Sequence, residues 1–146
     1  EAIERAIRGC YIDVEELATV RAAHALSSAF AGESPVPCHR DYCAANLLVD
    51  ARGAWVGVLD FEFAHWDVRV VDFARDPDWA WISRPDLFEA FVAGYGRGFS
   101  AVEEAQLTLA RAEYALGAIL WGRDNAFYGF EREGHEALAH LAGRRL

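Results

Sequence analysis

The chain contains no lysine and no methionine: all 14 of its basic residues are arginines, set against 23 acidic ones over 146 positions. Without lysine, no ammonium side chain is available to hold a phosphate. Without methionine, Glu1 is not an initiator, so the chain is read as a processed or partial one. Long uncharged apolar runs are missing as well. The longest, Tyr114 to Gly122, falls far short of the roughly 18 residues a membrane span requires. The charged opening from Glu1 to Arg8 carries no targeting pattern. A membrane partner is not expected. The shortage of positive charge leaves a net −9, which disfavours nucleic acid as a partner and attracts cationic ligands. Cysteines are few and odd in number, and the spacing of Cys38 and Cys43 fits neither a zinc knuckle nor a redox C-x-x-C. A reduced, cytoplasmic setting with the thiols as small core fillers is expected. What the chain does have is 53% hydrophobic and 13% aromatic residues, enough for one core. With no repeat, low-complexity tract or linker, residues 1–146 are expected to form a single domain.

Asp13 with Glu16 makes a capping box, and Val14, Leu17, Val20, Leu26 and Phe30 follow at helical spacing until Gly32. Pro35 and Pro37 force an extended approach through Val36 to Cys38, because a residue before proline is steered out of the helical region. Leu47 to Val49 and Trp55 to Leu59, separated by the turn Asp50 to Gly53, predict a β-hairpin. From Asp67 onward the pattern is helical. Pro77 interrupts a first segment, Pro85 stands where a first-turn proline belongs, and Gly94, Gly96 and Gly98 close a helix instead of forming a phosphate loop. Ser100 with Glu103 is a second capping box, opening a long helix to Trp121, and a last short helix covers Glu133 to Leu141. The fold class is therefore α+β, mostly helical, with one small β-hairpin.

The chemistry concentrates between Cys38 and Ala74, in C-H-R-D-Y-C-A-A-N and then D-F-E-F-A-H-W-D-V-R-V-V-D-F-A. If Leu48 pairs near Val58, Asn46 faces Asp60 at one end of the hairpin, and opposed residues of an antiparallel pair lie about 4.5 to 5.5 Å apart. A carboxamide and a carboxylate converging there suit a hard, oxygen-seeking cation such as Mg²⁺. Asp41 lies on the loop leading into the same end. A metal site beside a free carboxylate is what phosphoryl transfer asks of this half of an active site.

H-R-D-x-x-x-x-N followed by D-F-E and D-F-A resembles the C-terminal lobe of the aminoglycoside phosphotransferase and choline kinase family, relatives in fold of the protein kinases. The resemblance implies that Asp41 is the catalytic base and that Asn46 and Asp60 are metal ligands. It also implies that Asp72, His39 and Arg40 support the catalytic loop, Asp72 by holding its backbone. Mg²⁺ and ATP are the implied cofactor and co-substrate. The antibiotic kinases of that family usually carry glycine at the place of Arg40, and no activation segment follows Asp60, so a protein substrate is not expected. The nucleotide-binding N-terminal lobe is absent from this chain, and with it the phosphate-pairing lysine.

Glu62 is close enough in sequence to Asp60 to reach its surroundings. Trp121, Asp124 and Tyr128 gather where the resemblance implies an acceptor pocket, and an aromatic with a carboxylate suits a cationic compound. The expected activity is an ATP- and Mg²⁺-dependent O-phosphotransferase acting on a small-molecule hydroxyl, an aminoglycoside or other amino-bearing antibiotic fitting the acidic balance. Two rivals stand beside it: a non-enzymatic remnant holding a ligand or partner chain, perhaps as a homodimer, and a metal-dependent phosphohydrolase using Asp41, Asp60 and His39. His65 is expected to pack or be solvated, Trp79 and Trp81 to belong to a core or interface, and His135 and His140 not to share a helix face for zinc.

Overall fold

A computed structural model describes residues 1–75 and 84–143, so the expectations for Pro77, Trp79 and Trp81 lie outside the described residues. The chain divides into two compact units, Glu1–Ala31 with Phe99–Leu146, and Gly32–Gly98. Among the described residues no helix is long and apolar enough to cross a membrane.

The first unit is helical: α1 (Ala2–Arg8), α2 (Val14–His24), a 3₁₀ turn (Ser27–Phe30), then α4 (Ala101–Asp124) and α5 (Tyr128–Gly143). Both capping boxes are formed, Asp13 Oδ1 accepting from the Glu16 amide at 2.8 Å and Ser100 Oγ from the Glu103 amide at 3.2 Å. α1 was not anticipated, because its charges mask the short Ile3–Ala6–Ile7 stripe. α2 stops at His24 instead of running to Gly32; Leu26 and Phe30 belong to the 3₁₀ turn, whose tighter winding moves them off the α2 face. Val14, expected on the buried stripe, is 85% exposed; the helix buries Thr19, Val20 and Ala23 instead. α5 begins five residues before the expected Glu133.

α4 is the axis of this unit, burying residues on nearly every side, among them Leu107, Leu109, Leu116, Ile119 and Leu120, with Leu138 and Leu141 of α5 packed against it. The two helices approach closely at two glycines. A Cβ on Gly122 would meet the Glu131 amide nitrogen at 2.6 Å, and one on Gly134 would meet the Ala115 carbonyl oxygen at 2.5 Å. Buried polar groups are satisfied locally: Gln106 Nε2 donates to the Ala29 carbonyl at 2.8 Å, and Arg123 Nε meets the buried Glu131 carboxylate at 2.5 Å.

The second unit holds two antiparallel strand pairs, not one. β1 (Val36–Cys38) pairs with β4 (His65–Asp67), and β2 (Leu47–Val49) pairs with β3 (Trp55–Val58). β4 was missed because three residues of H-W-D carry no alternating signal. The hairpin turn is tied by Asp50, whose Oδ1 accepts from the amides of Arg52 and Ala54 at 2.8 and 2.9 Å; those amides hold its carboxyl below the usual range. A 3₁₀ helix (Arg69–Phe73) follows β4. α3 (Pro85–Tyr95) starts on its proline and ends at Gly96, whose φ of 88° is the left-handed cap that glycine accommodates. Rings fill the space between these elements: Tyr42 stacks on Phe91, which meets Phe73, which in turn meets Tyr95, at centroid distances of 5.6, 5.0 and 5.1 Å.

Candidate functional site

β1 ends at Cys38, and the backbone amides of the next residues lose strand partners. One carboxylate takes them over. Asp72, on the 3₁₀ helix after β4, accepts from the His39 amide through Oδ2 at 3.0 Å and from the Arg40 amide through Oδ1 at 2.7 Å. The chain bends here with Arg40 at φ 65°, a conformation that a residue with a Cβ seldom adopts. That is the physical reason a glycine suits this position in the related antibiotic kinases. Arg40 also reaches Asp67, Nη1 to Oδ2 at 3.7 Å.

His39 braces the loop from inside. Its Nδ1 accepts from the Asp41 amide at 3.3 Å, which leaves Nε2–H to donate to the Leu59 carbonyl at 2.8 Å. The imidazole thereby links the loop to the chain that leaves β3, and its ring lies 4.5 Å from that of Phe61.

Asp41 and Asn46 form one hydrogen-bonded unit. Asn46, closing the 3₁₀ turn Ala44–Asn46, donates from Nδ2 to the Asp41 carbonyl at 2.9 Å and to Asp41 Oδ2 at 2.8 Å. Its Oδ1, the metal-capable atom of the amide, is left out of that bonding. On its other side, Asp41 Oδ1 is ion-paired with Arg75 Nη1, both side chains about four-fifths buried. Sequence reasoning missed Arg75. Its spacing of three from Asp72, D-x-x-R, was the available signal, since residues three apart along a 3₁₀ turn share a face.

Asp60 lies near this end of the hairpin, but not opposite Asn46 as expected. The register is Leu47 with Val58 and Leu48 with Gly57, with an irregularity before Val49, so the Leu59 amide donates to the Asn46 carbonyl at 2.8 Å. Asp60 stands one residue farther on, and a one-residue slip reverses the side-chain face. A backbone φ of 63° redirects the chain there, a strained conformation held where the surrounding structure imposes it. The Asp60 side chain is exposed.

Among the described residues no group of three His, Cys, Asp or Glu side chains is placed to hold a metal. The donors at hand are an amide oxygen and a carboxylate, both hard. That set fits Mg²⁺, which keeps several waters and is completed by one or two carboxylates and by substrate phosphates, better than it fits zinc.

Other expected residues are less engaged. Glu62 is exposed on the turn after Asp60, and His65 sits on β4 opposite Cys38. Trp121, Asp124 and Tyr128 belong to the helical unit. Trp121 is half-exposed and meets Phe127 and Phe130 edge-on at 6.0 and 5.6 Å, Asp124 is ion-paired with Arg5, and Tyr128 is exposed. The Asp124 carboxylate is thus already paired with a cation of this chain.

Cys38 and Cys43 are buried, but Cys10 is exposed, against the expectation that all three fill a core. Burial, reinforced by the charges of Asp72 and Asp67, pushes the Cys38 thiol up to about 11. At pH 8 an alkylating reagent is expected to modify one thiol per native chain and three in denaturant, read by intact mass. Alkylation of Cys38 as fast as Cys10 would contradict this packing.

A model of the phosphotransferase enzyme family, abbreviated APH, matches residues 2–107. No curated protein and no solved structure matches the chain.

Proposed function

Since the chain belongs to the phosphotransferase enzyme family, that of the aminoglycoside phosphotransferases and choline kinases, we propose that it is the catalytic and acceptor-binding lobe of an ATP- and Mg²⁺-dependent O-phosphotransferase with a kinase-like fold. The observation that carries this reading is the hydrogen bond from Asn46 Nδ2 to Asp41 Oδ2, which fixes a carboxylate beside an amide whose oxygen remains for a cation. Asn46 and Asp60 would hold the magnesium ion, which supplies charge neutralisation on the nucleotide phosphates. Asp41 accepts the hydrogen bond of the acceptor hydroxyl and takes its proton as the new O–P bond forms and the bond from the γ-phosphorus to the ADP oxygen breaks. Asp72 and His39 keep the loop in place while this happens.

The acceptor is an amino-bearing small molecule, an aminoglycoside or similar antibiotic, on the support of the net charge of −9 and the ring cluster around Trp121. Such an acceptor would make the protein a resistance enzyme. A cytoplasmic location, where Mg-ATP is plentiful and thiols stay reduced, accords with this. On the hairpin, Val49, Trp55 and Val56 are each about 60% exposed, which favours a covering polypeptide, the nucleotide lobe or a second copy of the chain.

The test is a transfer assay on the full-length polypeptide with Mg-ATP and a panel of amino alcohols, aminoglycosides and neutral alcohols, following labelled phosphate into the acceptor. Transfer to an amino-bearing acceptor that falls about a thousandfold in Asp60→Ala, with the fold intact, is expected. Phosphate release without an acceptor would favour a hydrolase instead, and an Asp60→Ala variant of normal kcat would remove Asp60 from the metal site.

A further inference from the structure

The segment after β4 grips the catalytic loop twice. Asp72 takes the backbone amides of His39 and Arg40, and three residues on Arg75 takes the side chain of Asp41. The two oxygens of Asp41 are thereby fixed from opposite sides, Oδ2 by Asn46 Nδ2 and Oδ1 by Arg75 Nη1. An ionised carboxylate offers about four acceptor sites, so two remain for an incoming hydroxyl, one on each oxygen. With both partners in place, the carboxylate cannot turn about its own axis without losing one of them.

Resting on the reading that Asp41 serves a phosphoryl transfer, we propose that Arg75 is a positioning residue for the Asp41 carboxylate. Its guanidinium orients the group that meets the acceptor hydroxyl, and it touches neither nucleotide nor acceptor itself. The environment supports this role over a surface ion pair: the Arg75 and Asp41 side chains are 21% and 19% exposed, where exposed pairs elsewhere in the chain, such as Arg84 with Asp86, are 60% and 61%. A pair shielded to that degree is less screened and better held. The arrangement also assigns Asn46 two tasks at once, its nitrogen to the base and its oxygen to the cation. Loss of Arg75 would leave the carboxylate hinged on Asn46 alone.

The experiment compares wild type, Arg75→Lys and Arg75→Gln in the full-length polypeptide. Small misplacement of a reacting group can cost on the order of a hundredfold in rate. Arg75→Gln is expected to lower kcat by about 10- to 100-fold, with the KM values for Mg-ATP and acceptor within about twofold of wild type. Arg75→Lys, which restores the charge without the planar fork, is expected to recover part of the loss. A wild-type kcat in Arg75→Gln overturns the proposal, as does a raised acceptor KM with unchanged kcat, which would put Arg75 in the acceptor site. A fall in kcat that tracks a fall in melting temperature and is not relieved by lysine would make the residue merely structural and also overturns it.

A second measurement needs no turnover. In nitrogen-detected NMR the paired guanidinium is expected to show hindered rotation that disappears in Asp41→Asn. Hindered rotation without any phosphoryl transfer in the wild type would overturn the parent reading and, with it, the catalytic meaning of the pair. Free rotation in a wild type that does transfer phosphate would overturn the pair alone.

Discussion

Asp41→Asn in the full-length polypeptide is expected to lower kcat about a thousandfold, within the range that removal of a general base produces, while the protein stays folded. The reason lies in the hydrogen-bond polarity of the site. Both neighbours of this carboxylate are donors, Asn46 Nδ2 on one oxygen and Arg75 Nη1 on the other. A carboxylate accepts from both; an asparagine must turn its own NH₂ toward one of them. The substitution therefore removes the proton acceptor and also breaks one of the two contacts that orient the group. The Asn46 side chain is then free to turn, so the affinity for Mg²⁺ is expected to weaken as well, readable by the Mg²⁺ dependence of ATP binding. Stability should change little, because Asp72 and His39 hold the loop independently of the Asp41 side chain. A kcat within a few-fold of wild type would exclude Asp41 as the base.

The second large effect is on stability. Gly134→Ala is expected to destabilise the helical unit by about 2 kcal/mol, in the range of overpacked cores, although alanine favours a helix over glycine. The added Cβ would lie 2.5 Å from the Ala115 carbonyl oxygen and 3.0 Å from the Ile119 amide nitrogen, backbone atoms that cannot swing aside, so α4 and α5 would have to part. Gly117 supplies the contrast. It lies in the interior of α4 with nothing within 4 Å of a Cβ, so Gly117→Ala is expected to stabilise by roughly 0.5 to 1 kcal/mol. At about 3 °C per kcal/mol for a chain of this size, thermal unfolding should separate the two variants by about 8 °C. Equal shifts for both would mean that the helices are not in contact at Gly134.

How much of this was legible in the residues depended on the range of the interaction. Asp13 with Glu16 and Ser100 with Glu103 bond three positions apart, so the composition of one helical turn suffices to place both helix starts. Pro85 and Gly96 bracket α3 for reasons internal to each residue, a fixed φ and tolerance of a left-handed one. The hairpin was visible too, but its register was not. Pairing depends on how the turn at Asp50 and the irregularity after Leu48 consume residues, and a slip by one was enough to set Leu59, not Asp60, against Asn46. α1, β4 and the end of α2 were hidden for a related reason. Each is short or irregular, and each is stabilised by packing against distant segments more than by its own pattern.

By itself the sequence determined which side chains could do chemistry and in what order they come, H-R-D-x-x-x-x-N and then D-F-E and D-F-A, together with the local signals that start and stop the longer helices. Tertiary structure alone decided what those side chains touch. Asp72 reaches His39 and Arg40 across more than 30 residues, Arg75 meets Asp41 over a similar span, and Gly122 and Gly134 reveal their purpose only where another helix presses on them. The physical reason is common to all three. A bond closed within one turn is specified by the few dihedrals between its partners, whereas a bond across 30 residues exists only once the packing of every intervening element has fixed where the chain returns.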